Sequence, residues 1–67
     1  MLLNRVKVYR AAKNWTQAEL AMRVGVSRKT INTVENNVFV PSTVLALKLA
    51  EALDASVEQL FQIDKGG

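Results

Sequence analysis

Apolar residues recur every three or four positions along most of this chain, which is the spacing of amphipathic α-helices. Five short stretches follow this period, and the two-residue alternation of a strand is almost absent. In the fourth stretch Leu45, Leu49 and Leu53 fall on one side, with Ala46 and Ala50 beside them as small packing residues. The pattern predicts an all-α domain of five short helices.

Residues that begin and end helices separate the five stretches. A serine or threonine stands at each predicted helix start after the first: Thr16, Ser27, Ser42 and Ser56. Glu19 and Gln59 follow two of these caps by three residues, which is the spacing of a capping box. The first helix is predicted to begin at Asn4 and to end at Asn14, and Gly25 follows the second. We expect one domain over residues 1–67, with a core at 4–61 and a tail at 62–67.

The composition narrows the possible chemistry. The chain has no cysteine and no histidine, which excludes disulfides, imidazole catalysis and nearly all zinc sites. We find no catalytic constellation, so we expect no enzyme, no metal, no cofactor and no small-molecule ligand. No charged segment leads into a long apolar run, so the expectation is a cytoplasmic protein without a membrane partner.

Charge is divided unevenly along the chain. The net charge is +3, but residues 1–34 hold seven Lys or Arg and one acidic residue, whereas residues 35–67 hold two Lys and five acidic residues. One half of the chain is therefore suited to a polyanion and the other half is not.

The third predicted helix has two different sides. Ile31 and Val34 form an apolar side. The opposite side carries two cations and three short polar groups without an acid: Arg28, Lys29, Asn32, Thr33 and Asn36. Positive charge beside a helix N-terminus is disfavoured by the helix dipole, and an arriving phosphate would relieve that cost. Arg and Lys also pair with guanine in the major groove, and Asn pairs with adenine.

Several motifs occur in a fixed order from residue 4 to residue 61: TQAELA, VGVSR, TINTVEN, VPS and ALKLAEALDASVEQLF. In this order and spacing the chain resembles the phage Cro/CI repressor-like (XRE) family of helix-turn-helix domains. The resemblance implies a compact, five-helix, λ-repressor-like domain whose second and third helices form the helix-turn-helix. It also implies a sequence-specific transcriptional regulator, most simply a repressor, that binds double-stranded DNA as a homodimer on a pseudo-palindromic operator.

The resemblance assigns roles to individual residues. The residues expected to read bases are Arg28, Lys29, Asn32 and Thr33. The residues expected to contact phosphates are Thr16, Gln17 and Asn36. Arg10 and Glu35 match a structural ion pair, and Ala21 must be small where the two motif helices cross. Tyr9 and Trp15 suggest base stacking, but their positions favour packing on the core.

The chain also departs from the family. Asn14, Asn37 and Asp54 stand at turns where glycine is usual, and the loop Val38–Val40 is apolar where a basic residue is common. We expect any dimer to use this domain's own surface, formed by Val57, Leu60, Phe61 and Ile63. The alternative is a protein-interaction module on the same fold, such as an antitoxin or adaptor with secondary DNA binding.

Overall fold

A computed structural model describes residues 2–66 and contains five α-helices and one small sheet. The elements are β1 (Leu2–Asn4), α1 (Val6–Ala12), α2 (Gln17–Val24), α3 (Arg28–Glu35), α4 (Thr43–Ala52), α5 (Val57–Leu60) and β2 (Phe61–Ile63). The five-helix prediction is confirmed. Helix α2 packs against α3 and α4, and α4 packs against α5.

Side-chain caps begin four of the helices. The hydroxyls of Thr16, Ser27 and Ser42 each accept a bond from the backbone N–H three residues on, at 3.0, 3.1 and 3.1 Å. Ser56 and Gln59 form the complete predicted capping box, with bonds of 3.0 and 2.7 Å. Each cap satisfies an N–H group that has no partner inside its helix.

The capping box predicted for α2 forms only in part. Glu19 does not return a bond to the backbone N–H of Thr16. Its carboxylate lies instead 3.0 Å from Nε of Arg23, one helical turn further on. Glu19 follows its cap by three residues, as Gln59 does in α5, but Glu19 carries a charge and Arg23 offers it a charged partner that a backbone N–H cannot match.

Four turns adopt the left-handed conformation. Asn14, Asn37 and Asp54 have φ values of 59°, 58° and 54°, and Gly25 has φ of 75°. Asparagine and aspartate tolerate this region better than other residues with a Cβ. The sequence-based expectation for these turns is confirmed.

The small sheet was not predicted. Strands β1 and β2 pair in antiparallel fashion, with Leu2 opposite Ile63 and Asn4 opposite Phe61. As a result α1 begins at Val6 rather than at Asn4, and α5 ends one residue before Phe61. The predicted tail at 62–67 is also corrected, because Gln62 and Ile63 belong to β2, residues 64–66 have no regular structure, and Gly67 lies outside the described residues.

The core draws on every helix. Its buried members are Val6, Leu20, Ala21, Val24, Ile31, Val34, Leu45, Leu49, Ala50, Leu53 and Leu60. Leu60 is fully buried, so it cannot belong to the expected dimer surface. Within the part of the chain that the structure describes, no helix has the length and hydrophobicity that crossing a membrane requires.

Tyr9 and Trp15 are half-buried and pack on this core, as expected. The indole of Trp15 also has two cationic neighbours. The guanidinium carbon of Arg23 lies 4.1 Å from the ring centroid, and Nζ of Lys13 lies 5.3 Å from it. Both distances permit cation–π attraction, which ties the end of α1 to α2.

Candidate nucleic-acid interface

Helix α3 presents the face that the sequence analysis singled out. Its N-terminus follows the turn at Gly25 and is capped by Ser27. Arg28, Lys29 and Asn32 are exposed on the outer side of α3, and Thr33 is half-buried beside them. The hydroxyl of Thr33 donates to the carbonyl of Thr30 at 2.9 Å, which holds that side chain in one rotamer. All four residues expected to read bases therefore lie on one helix.

The carboxylates of the two motif helices, Glu19 on α2 and Glu35 on α3, are each paired with an arginine. The side chain of Glu35 is 2% exposed and accepts bonds from Nε and Nη2 of Arg10 at 2.7 and 3.1 Å. The ion pair predicted between Arg10 and Glu35 is thus present. Glu19 on α2 is paired with Arg23. Arg28 and Lys29 form no ion pair within the described residues, so they leave the outer face of α3 positively charged.

The Arg10 guanidinium is held on several sides. Its Nη1 donates to the carbonyl of Trp15 at 2.7 Å, in addition to the two bonds to Glu35. Hydrogen bonding to Glu35 raises the pKa of Arg10, although its partial burial acts in the opposite direction. The pair joins α1, the α1–α2 turn and α3, so it fixes where α3 stands relative to the rest of the domain.

The start of α2 lies beside α3. Thr16 uses its hydroxyl as the helix cap. The side chain of Gln17 turns inward: Nε2 donates to Glu35 at 3.1 Å, and Oε1 accepts a long bond of 3.4 Å from Nδ2 of Asn32. The first backbone N–H groups of α2 have no partner within the helix, as at any helix N-terminus, so an anion can bind there.

The end of α3 is held by a residue that the sequence analysis did not single out. Nδ2 of Asn4 donates to the carbonyl of Val34 at 2.9 Å and to Oδ1 of Asn37 at 2.8 Å. Its Oδ1 accepts from the N–H of Val6 at 3.3 Å. Asn36, expected at a phosphate, is exposed and donates to the carbonyl of Asn32 at 2.9 Å. Asn4 acts across 30 residues of chain, so no local pattern could have revealed it.

The loop after α3 is apolar and exposed. Val38, Phe39 and Val40 are 78%, 46% and 69% exposed. Val38 and Phe39 line a shallow groove together with Lys29, Thr30 and Thr33 of α3. The backbone N–H groups of Val38 and Phe39 both donate to the carbonyl of Thr33, at 2.9 and 3.2 Å. The loop therefore offers a phosphate neither a basic side chain nor these two N–H groups.

Two helices joined by a tight turn, the second presenting a cationic, exposed face, define a helix-turn-helix domain. The model of the helix-turn-helix family matches residues 6–60 of this chain. The chain therefore belongs to the helix-turn-helix family of Cro/CI-like transcriptional regulators. Such a protein binds DNA and is not an enzyme.

Relatives of known sequence support this assignment. An uncharacterized HTH-type transcriptional regulator of Archaeoglobus fulgidus is 46% identical over 61 residues, covering 91% of this chain and 86% of its own length. The antitoxin HipB of Escherichia coli K12 is 34% identical over 56 residues, covering 84% of this chain and 64% of its own.

Solved structures share the fold. A putative DNA-binding protein from Bacteroides fragilis superimposes with a TM-score of 0.83 at 39% identity, over 92% of this chain and all of its own. SinR, solved in complex with DNA as the master regulator for biofilm formation, superimposes with a TM-score of 0.75 at 34% identity, over 81% of this chain and 87% of its own.

Proposed function

We propose that this chain is a sequence-specific regulator that reads double-stranded DNA with α3 in the major groove. One observation carries the proposal: the exposed face of α3 holds Arg28, Lys29 and Asn32 close to the helix N-terminus, while Glu19 and Glu35 are paired with arginines. Arg and Lys pair with guanine O6 and N7, and Asn pairs with adenine N6 and N7. Thr16, Gln17 and Asn36 flank this face and are the candidates for phosphate contacts.

Selection of binding sites from a random duplex library at physiological salt tests the proposal. We expect one motif to be enriched. Lys29→Ala should then weaken binding to that motif by about 1–3 kcal/mol and relax the preference at one base pair. Lys48→Ala is the matched control, because Lys48 is also exposed but lies on α4. Equal losses in both variants, on every sequence, would leave only non-specific attraction to phosphate.

We further propose that the protein acts as a homodimer on a pseudo-palindromic operator, in the cytoplasm, as a repressor. The surface that supports a dimer is an apolar groove of about 270 Å³ between α4 and the sheet. Its apolar lining includes Leu2, Val40, Pro41, Leu47, Val57 and Phe61. Ile63 is 73% exposed and stands opposite Leu2 in the sheet. Val57, Phe61 and Ile63 remain from the expected dimer surface, and Leu60 does not.

Sedimentation equilibrium tests the dimer. Leu47→Lys places a charge in the groove at a side chain that is 57% exposed, so it should shift the protein towards monomer without unfolding it. Val8→Lys is the control, because Val8 is 64% exposed on α1 and does not line the groove. A wild-type protein that stays monomeric at high concentration would contradict the dimer proposal.

Repression is tested separately by deleting the operator and measuring transcription. A fall in transcript level on deletion would contradict repression.

The alternative is a protein-interaction module such as an antitoxin or adaptor. The exposed loop Val38–Val40 favours it, since three consecutive apolar side chains face solvent there. Alanine substitution of Arg28 and Lys29 together separates the two functions. If the protein is a regulator, the double variant should lose DNA binding and its effect on transcription. If it is an interaction module, the double variant should still bind its protein partner.

A further inference from the structure

Gln17 bridges a buried ion pair and the exposed face of α3. Its Nε2 lies 3.1 Å from Oε1 of Glu35, and its Oε1 lies 3.4 Å from Nδ2 of Asn32. Gln17 is the first residue of α2, whereas both of its partners belong to α3. The side chain therefore connects the inside of the domain to one of the residues expected to read bases.

Glu35, at the buried end of this bridge, decides which group donates and which accepts in each hydrogen bond. Glu35 is a carboxylate that already holds Arg10 with two bonds, and a carboxylate only accepts hydrogen bonds. Gln17 must therefore turn its NH₂ group towards Glu35, which leaves its carbonyl oxygen facing α3. Asn32 must in turn direct its NH₂ group towards that oxygen. The ion pair thus favours one orientation of the exposed Asn32 amide, through Gln17 and a long bond of 3.4 Å.

This orientation leaves a defined set of groups on Asn32. One of the two hydrogens on its Nδ2 is donated to Gln17, and the second hydrogen and Oδ1 remain available for a ligand. An acceptor and a donor side by side are what an asparagine uses to bind N6 and N7 of adenine in the major groove. An amide that is already oriented also loses less conformational freedom when it binds.

We propose that Gln17 is a positioning residue that sets the base preference of Asn32, and that the base read there is adenine. The inference rests on the proposed DNA-binding function. It assigns the side-chain amide of Gln17 a role different from the expected phosphate contact, which then falls to the backbone N–H groups at the start of α2. Gln17 controls discrimination between sequences, not only overall affinity.

Site selection and affinity measurements on four proteins test this role: wild type, Gln17→Met, Asn32→Ala and the double variant. Methionine keeps the length of the side chain and removes both amide groups. We expect Asn32→Ala to lower discrimination for adenine at one base pair by about fivefold or more. Gln17→Met should lower discrimination at the same base pair by about two- to tenfold, and the double variant should be no worse than Asn32→Ala. Gln62→Met, an exposed glutamine in β2, is the matched control.

The outcomes separate the inference from the function on which it rests. If wild type enriches no motif, the proposed function fails. If wild type enriches a motif and Gln17→Met weakens all sequences alike, or none, Gln17 does not position Asn32 and the inference is overturned. Circular dichroism checks that each variant folds, and Gln17→Ala replaces the methionine variant if that one does not.

A measurement without DNA gives an independent test. The side-chain amide of Asn32 has its own pair of NMR resonances, whose shifts depend on its acceptor. We expect these resonances to move in Gln17→Met and to stay in place in Gln62→Met. Unchanged Asn32 amide resonances in Gln17→Met would contradict the bridge, whatever the effect on DNA binding.

Discussion

Removing the carboxylate of Glu35 should unfold much of the protein population. The side chain of Glu35 is 2% exposed and accepts bonds from Arg10 and Gln17. Glu35→Ala leaves the guanidinium of Arg10, which is 13% exposed, without its counter-ion. Breaking a buried pair in this way costs about 3–5 kcal/mol. A domain of this size has a total stability of roughly 3–10 kcal/mol, so the loss is comparable to the whole.

Urea denaturation followed by circular dichroism measures this loss, with the slope of the transition as a check that the same surface is exposed. Glu19→Ala is the control. Glu19 also pairs with an arginine, but Arg23 is 47% exposed, so its loss should cost no more than about 1 kcal/mol. A similar small loss in Glu35→Ala would refute the assignment of a buried, structural pair.

The double variant Arg10→Met/Glu35→Leu sharpens the test. It removes both charges and fills their place with apolar side chains, which is often neutral or stabilising relative to a buried pair. We expect it to be more stable than Glu35→Ala despite carrying two substitutions. A double variant that is as unstable as Glu35→Ala would show that the cost arises from lost packing and not from an unpaired guanidinium.

Three further substitutions test the turn at Gly25 and the ion pair between Lys13 and Asp54. Gly25→Ala should destabilise the protein by about 1–2 kcal/mol in urea denaturation, because φ is +75° while nothing lies within 4 Å of the added Cβ, so the cost is conformational alone; an unchanged midpoint would contradict this. Asp54→Asn keeps the left-handed turn but loses the 2.7 Å pair with Lys13, whose hydrogen bond and charge lower the pKa of Asp54. Since folding lowers the pKa of Asp54, the ion pair stabilises the folded state above the ordinary value of 3.8, and this stabilisation is lost as pH falls through the folded pKa. The melting temperatures of wild type and Asp54→Asn should therefore converge in acid. Lys13→Met should remove the same pH dependence, and a difference that persists in acid would exclude this ion pair as its cause.

Helix boundaries were predictable where their chemistry is local. Ser27, Ser42 and Ser56 cap the helices that follow them, and Asn14 takes the left-handed turn that ends the first. In each case the partner atom lies within a few residues, so the sequence itself contains both halves of the interaction. The residues on the outer face of α3 were predictable for the same reason, since helical periodicity decides which side chains share a side.

The features that were missed depend on partners far along the chain. Strand β1 has three residues and pairs with β2 about sixty positions later. No hairpin turn joins the two strands, so no turn motif in the sequence predicts their pairing. Asn4 holds the end of α3 across 30 residues. Leu60 lies in a helix of only four residues, whose sequence does not show which side faces the core, and it is fully buried because α5 packs against α4. Gln17 could not be distinguished from an ordinary phosphate contact, because its inward turn depends on Glu35.

The two cations beside Trp15 make the native state visible by optical spectroscopy. The chain has a single tryptophan, so its fluorescence reports on one place only. That place is the junction of α1 and α2, where Arg23 and Lys13 lie near the indole in the folded state and separate from it in the unfolded chain. Emission therefore follows this junction, while circular dichroism follows all five helices at once. Coincident transitions from the two signals would establish that the junction and the remaining helices melt as one cooperative unit.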